Sequence, residues 1–228
     1  MGQMLESTVQ KVALIFLKKY YQYYSFNKKF FAETEVRTKK KYGSKRADGI
    51  IVFRHWLFGT YVVSMEAKSY KTLPAMKPKR DNALFLYNTF IAGLSISILS
   101  GAFFSSFKMN DGFWQIILPL NVFVLGALAY AFFTSKSFKH KIIDVVDQVK
   151  QYPAHVKWLA FSQDSLSALP IEKVKNMERI CRVHGIGIVV VKNKSRVEVL
   201  VKPKFKFNFW RDNVRFYSKE KDIHAALK

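Results

Sequence analysis

The tripeptide Glu66-Ala67-Lys68 closes an apolar run over residues 60–68 (TYVVSMEAK), and Asp48 heads another over residues 48–55 (DGIIVFRH). Both runs have the length and β-branched content of strands, and residues 56–59 between them make a turn. A strand repeats every two residues, so Glu66 and Lys68 fall on one face. A carboxylate and an ammonium at the end of an apolar strand are costly to bury unless they pair or hold a metal. A hairpin centred on Leu57 sets Asp48 opposite Glu66, and a slip of one residue would send them to opposite faces. In the first register two carboxylates converge beside a lysine. Two carboxylates, a backbone carbonyl and water suit a hard octahedral cation, Mg²⁺ or Mn²⁺. Such a cation polarises a phosphoryl oxygen and acidifies water. The plainer alternative is a solvated strand end with no metal, which is what an isolated E-x-K usually is.

Other residues extend or narrow that chemistry. Residues 139–152 (KHKIIDVVDQVKQY) are expected to form one helix stopped by Pro153, which would put Gln148 and Tyr152 on one helical face. Glu6 opens an N-terminal amphipathic helix over residues 5–24, where the helix dipole alone favours an acid. Asp144 and Asp147 are expected to be solvated. His55, His140, His155 and His184 show no ligand spacing, which argues against zinc. Cys181 is the single cysteine, so no disulfide framework is available, and it is expected in the core.

Asp48 and Glu66-x-Lys68 on adjacent strands after a first helix, followed by Gln148-x-x-x-Tyr152, resemble the PD-(D/E)xK nuclease superfamily and its RecB-like branch. The resemblance implies an α/β fold with a restriction-endonuclease-like mixed-sheet core. It implies that Asp48 and Glu66 bind Mg²⁺ or Mn²⁺ with the carbonyl of Ala67. Lys68 would position or activate the attacking water, Glu6 would orient water at the metal, and Gln148 and Tyr152 would hold the phosphate or fix Lys68. The sequence departs from the family in two places. Ala47 stands where the family has proline, and an apolar hairpin separates E-x-K from Q-x-x-x-Y.

That hairpin also organises the composition. The chain has 228 residues and a net charge of +22, yet half of it is hydrophobic, which excludes disorder. Residues 83–134 carry only Lys108 and Asp111 as charges. Residues 83–106 and 113–133 are each long enough to cross a hydrocarbon core. The expected division is therefore a first part of a nuclease-like domain (1–82), a transmembrane helical hairpin (83–134) and a second part (135–228). Lys71, Lys77, Lys79 and Arg80 precede the hairpin, and Lys136, Lys139 and Lys141 follow it. The positive-inside rule then puts both termini and the catalytic domain on the cytoplasmic side of the cell membrane. Residues 1–10 hold Glu6 and no continuous apolar core, so no targeting leader is expected there. Outside the hairpin the expected order is α-β-β-β-α-β-α-β-β.

The positive charge has two expected partners. Arg37, Lys39, Lys40, Lys41, Lys45 and Arg46 precede Asp48, and Lys204 and Lys206 alternate with Phe and Trp. Phosphates would meet the lysines and unpaired bases would stack on the rings, so DNA is the expected partner there. The lysines flanking the hairpin are expected to meet anionic lipid headgroups. Small residues such as Gly93 and Gly101 in the first span permit close helix contact, and with it a homo-oligomer. The sequence thus points to a membrane-anchored, metal-dependent DNA nuclease, serving defence against foreign DNA or DNA processing. Its alternatives are an inactive nuclease-like protein that binds DNA or a partner at the membrane, and an oligomerising membrane effector.

Overall fold

The computed structural model describes residues 4–57, 59–69, 79–105, 112–135, 137, 140–205 and 212–228. Lys206, the juxtamembrane Lys71, Lys77, Lys136 and Lys139, and the connecting turn with Lys108 and Asp111 lie outside them. The chain divides into two compact units, Met1–Pro78 with Ile143–Lys228, and Lys79–Ile142.

The first unit is a mixed α/β domain on a six-stranded sheet. Helix α1 (Glu6–Tyr21) is followed by β1 (Ser25–Arg37), β2 (Arg46–His55) and β3 (Gly59–Lys68). These three strands form an antiparallel meander in which Gly49 pairs with Met65 and His55 with Gly59. That is the register centred on Leu57. Strand β1 is 13 residues long. Within it Glu35 has φ 58°, a left-handed conformation that a residue with a Cβ adopts only at a cost. The β1–β2 pairing skips it: Thr34 pairs with Gly49 and Val36 with Ala47. Asp48, which would face Glu35, is left without a partner in that ladder.

After the second unit the chain re-enters through α4 (Asp144–Lys150) and β6 (Val156–Ser162), which lies parallel to β3. Helices α5 (Gln163–Ser167) and α6 (Ile171–His184) lead to β7 (Gly187–Val191), parallel to β6. Helix α6 ends at Gly185 in the left-handed conformation, φ 71°, as expected of a glycine there. Strand β8 (Val197–Val201) pairs antiparallel with β7, and α7 (Glu220–Leu227) closes the unit. The sheet order is β1-β2-β3-β6-β7-β8. Helices α5 and α7 are short and were not expected from the sequence.

The sheet buries both faces. On one, α1 lays Val9, Ala13, Leu14 and Leu17 over Ile51, Tyr61, Val63, Met65 and Trp158. Fully burying each such aliphatic side chain contributes about 1.5–3 kcal/mol. On the other, Val62 and Ile50 pack with Tyr152, Tyr217, Ile223 and Leu227. Even-numbered residues of β3 therefore face α4 and α7, and odd-numbered ones face α1. Gly187 lies under the Trp158 ring, where a Cβ would meet a ring carbon at 2.4 Å.

In the second unit, α2 (Asn82–Ser105) and α3 (Gly112–Thr134) form a helical hairpin. Its base is a two-residue ladder of β4 (Lys79–Arg80) with β5 (Lys141–Ile142). The Asp81 carboxylate accepts the Leu84 N–H at 3.0 Å and caps α2. The helices approach closely: a Cβ on Gly93 would stand 2.9 Å from the Phe123 carbonyl. Ser97 Oγ donates to the Pro119 carbonyl at 2.9 Å. Both helices are long and apolar enough to cross a membrane.

The single helix expected over residues 139–152 does not form. Lys141 and Ile142 are extended in the ladder, and Ile143 is extended at φ −119°, ψ 140°. Consecutive β-branched residues favour that conformation. The helix begins afresh at Asp144, with Asp144 and Asp147 in its first turn.

Candidate active site

Asp48 and Glu66 come together at the ends of β2 and β3, where the ladder between those strands stops at the Gly49–Met65 pair. Beyond it the Asp48 carboxylate replaces a strand, accepting the Ala67 N–H at 2.9 Å. An extended residue points its C=O the same way as its N–H, so the Ala67 carbonyl also turns toward the Asp48 side. Gly49 lets α1 close over this end, since a Cβ there would meet Met65 Cε at 2.8 Å and Leu14 Cδ1 at 3.1 Å.

Glu66 is 1% exposed and each of its oxygens has a partner. Lys68 Nζ donates to Oε1 at 2.7 Å, and Tyr152 Oη lies 2.9 Å from Oε2. The same hydroxyl is 2.7 Å from the Arg46 carbonyl. The hydroxyl shares its one proton between the Arg46 carbonyl and Glu66 Oε2. Burial raises the Glu66 carboxyl above its usual range and the Asp48 charge raises it further, against the lowering pull of Lys68 and Tyr152. Asp48 is raised by burial first and then by Glu6, against the Ala67 N–H and the charges of Lys68 and Arg46.

Around the pair lies an open cleft lined by Glu6, Lys45, Arg46, Lys68, Gln148, Gln151 and Tyr152. Glu6 reaches it from the first turn of α1, with Oε2 3.5 Å from Ser69 Oγ. Gln148 is on α4. Tyr152 lies one residue past the helix cap at Gln151, not on the helix face. Its buried ring carries the hydroxyl to Glu66. Gln151 was not anticipated; an exposed glutamine inside Q-x-x-x-Y carries no signal of its own.

The basic loop adjoins the cleft through Lys45 and Arg46, with Lys40 and Lys41 exposed nearby. Arg37 is exposed too, Lys39 pairs with Glu220, and Arg46 lies 3.7 Å from Glu35. Lys204 is elsewhere. Its neighbour Phe205 stacks on Tyr61 with ring centroids 4.9 Å apart, near the opposite end of β2 and β3. Cys181 is fully buried, which pushes its thiol up to about 12.

Among the described residues no group of three or more His, Cys, Asp or Glu converges to hold a metal. The donor set here is two carboxylates and the carbonyl of Ala67, all hard oxygens that fit Mg²⁺ or Mn²⁺ with water completing the shell. Lys68 supplies one positive charge against two buried carboxylates, and a divalent cation would relieve what Lys68 leaves uncompensated. In comparisons with protein families, curated proteins and solved structures, nothing matches this chain.

Proposed function

We propose that the chain is a membrane-anchored, metal-dependent nuclease with a restriction-endonuclease-like core, hydrolysing phosphodiester bonds of DNA. The observation that carries this reading is the junction of Asp48, Glu66 and Lys68 at the open end of two paired strands. Asp48, Glu66 and the Ala67 carbonyl would hold Mg²⁺ or Mn²⁺. When bound, the cation supplies Lewis-acid polarisation of the phosphate and a more acidic water.

The chain's own residues do the rest. Lys68 holds the attacking water at the cleft floor and counters charge that builds on the phosphate. As water attacks phosphorus it gives up a proton to solvent, the bond to the leaving sugar oxygen breaks, and that oxygen takes a proton from solvent. Tyr152 fixes the orientation of Glu66, and Glu6 and Gln148 orient water and phosphate at the rim. Lys40, Lys41, Lys45 and Arg46 hold the backbone next to the scissile bond.

Membrane anchoring rests on the length and apolar character of α2 and α3 and on outward side chains such as Leu99, Ile116 and Phe132, which are exposed. The flanking lysines orient both termini and the domain toward the cytoplasm and favour anionic headgroups. Such a tether suits cleavage of DNA that enters or is held at the membrane, in defence or in processing.

The test is cleavage of linear and circular DNA by purified protein in detergent micelles with Mg²⁺ or Mn²⁺. Glu66→Ala and Lys68→Ala should each lower the rate by at least about a hundredfold. A second reading, an inactive nuclease-like fold that binds DNA, is favoured by one observation: Lys68 and Tyr152 take up both oxygens of Glu66. Its signature is DNA binding without cleavage, and no proton release on adding Mg²⁺.

A further inference from the structure

A second cavity of about 380 Å³ lies beside the catalytic cleft and shares Gln151 and Tyr152 with it. The β1–β2 loop, the segment between α4 and β6, and the turn Val214–Phe216 enclose it. Its size falls in the range of small-ligand sites. We propose that this cavity takes an unpaired nucleobase of the strand whose phosphate occupies the catalytic cleft. The proposal rests on the nuclease reading for the position of that phosphate.

Three features support a base. Tyr42 and Phe216 form an edge-on pair with ring centroids 4.6 Å apart. Tyr42 is 39% exposed while Phe216 is buried, so one ring is available at the mouth and the other braces it. An exposed aromatic ring backed in this way is a stacking platform, and every base has a face to stack on. Asn213 is 3% exposed and lines the cavity. Its amide nitrogen lies 3.3 Å from the His155 ring. His155 accepts the Val62 N–H through Nδ1 at 3.0 Å. A buried amide offers the donor and acceptor that a base edge requires.

The charge is right as well. Lys150 and Lys157 line the cavity, and among the described residues no acid does. Lys41 Nζ sits 4.9 Å from the Tyr42 ring centre and the Arg215 guanidinium 5.0 Å from that of Phe216. These cations suit the phosphates on either side of an inserted base and repel a cationic ligand. A base inside a duplex is stacked and cannot enter, so the substrate is single-stranded or locally unpaired at the cut.

The experiment is equilibrium binding by the full chain in micelles with Ca²⁺ in place of Mg²⁺, read by fluorescence anisotropy. The probes are a short oligothymidylate and the abasic strand of the same length. Wild type should bind the base-bearing strand more tightly. Tyr42→Ala should weaken that strand roughly tenfold and leave the abasic strand unchanged. Asn213→Ala, which removes the amide without adding charge, should also weaken only the base-bearing strand, and circular dichroism verifies that each variant is folded. Equal affinity of wild type for the two strands, or equal loss on both with Tyr42→Ala, overturns the proposal. The cleavage assay keeps the two readings apart. Base-dependent binding without any Glu66-dependent cleavage would sink the nuclease and leave the pocket. Glu66-dependent cleavage with base-independent binding would do the reverse.

Discussion

Asp48 and Glu66 make opposite demands at the residue scale. The fold buries both and the proposed chemistry needs both charged. Their pKa values are raised above the ordinary carboxylate range, so the folded protein without divalent ions binds more protons than the unfolded chain just above about pH 4. Stability of this end of the sheet should therefore fall as pH rises from the ordinary carboxylate values through the raised ones. Hydrogen exchange of the β2 and β3 amides in micelles would measure this, and Glu66→Gln should flatten the slope. A divalent cation competes with those protons, so its affinity should rise with pH over the same window. Isothermal titration in two buffers of different ionisation heat would show the proton release. Tyr152→Phe removes the hydroxyl shared by Glu66 and the Arg46 carbonyl. It should cost about 1–3 kcal/mol, read by the same amide exchange.

At the scale of elements, the site exists because β2 and β3 outlast their mutual ladder and β1 yields at Glu35. A left-handed non-glycine residue costs about 1–2 kcal/mol. Glu35→Gly should relieve it and stabilise the sheet by about 1 kcal/mol, because the Arg46 pair lost with it is solvent-exposed and worth little. Amide exchange of β1 checks this, and slower exchange in the wild type than in the variant would refute it. Gly187 has the opposite logic. Any side chain there meets the Trp158 ring, which is fully buried and donates to Tyr21 Oη at 2.9 Å. Gly187→Ala should cost about 1–3 kcal/mol of overpacking, seen as a lower midpoint of near-ultraviolet circular dichroism on heating.

On the scale of the whole molecule, one chain carries a six-stranded mixed sheet and an apolar hairpin as separate compact units. Gly93 seats against Phe123 and Ala127, and Gly126 against Ile96, so these small residues serve packing within the hairpin. Gly93→Leu should force the two helices apart. Cysteines placed on facing positions of α2 and α3 would then crosslink less efficiently, while DNA cleavage in micelles stays within about twofold, since independent sites add with little coupling. If the hairpin lies in a bilayer, the protein should resist extraction by alkaline carbonate and yield to detergent.

Much of this protein was determined by local sequence. The pairing of β2 with β3 followed from their apolar runs and the short turn between them, but both faces of these strands are buried, so the sequence left open whether Asp48 meets Glu66 or is slipped by one residue. The apolar helices followed from length and composition, and the end of α6 from Gly185. Asp48, Glu66 and Lys68 could be placed together because they lie on paired strands a few residues apart in register. Tertiary structure decided what depends on distant partners. The ladder of Lys79–Arg80 with Lys141–Ile142 broke the helix expected over residues 139–152 and left Tyr152 beyond α4, where it reaches Glu66 through the core. The left-handed Glu35, the position of Lys204 away from the cleft, and the cavity between Tyr42, Tyr152 and Asn213 arose the same way. Each joins segments far apart in the chain, and no local preference records such a contact.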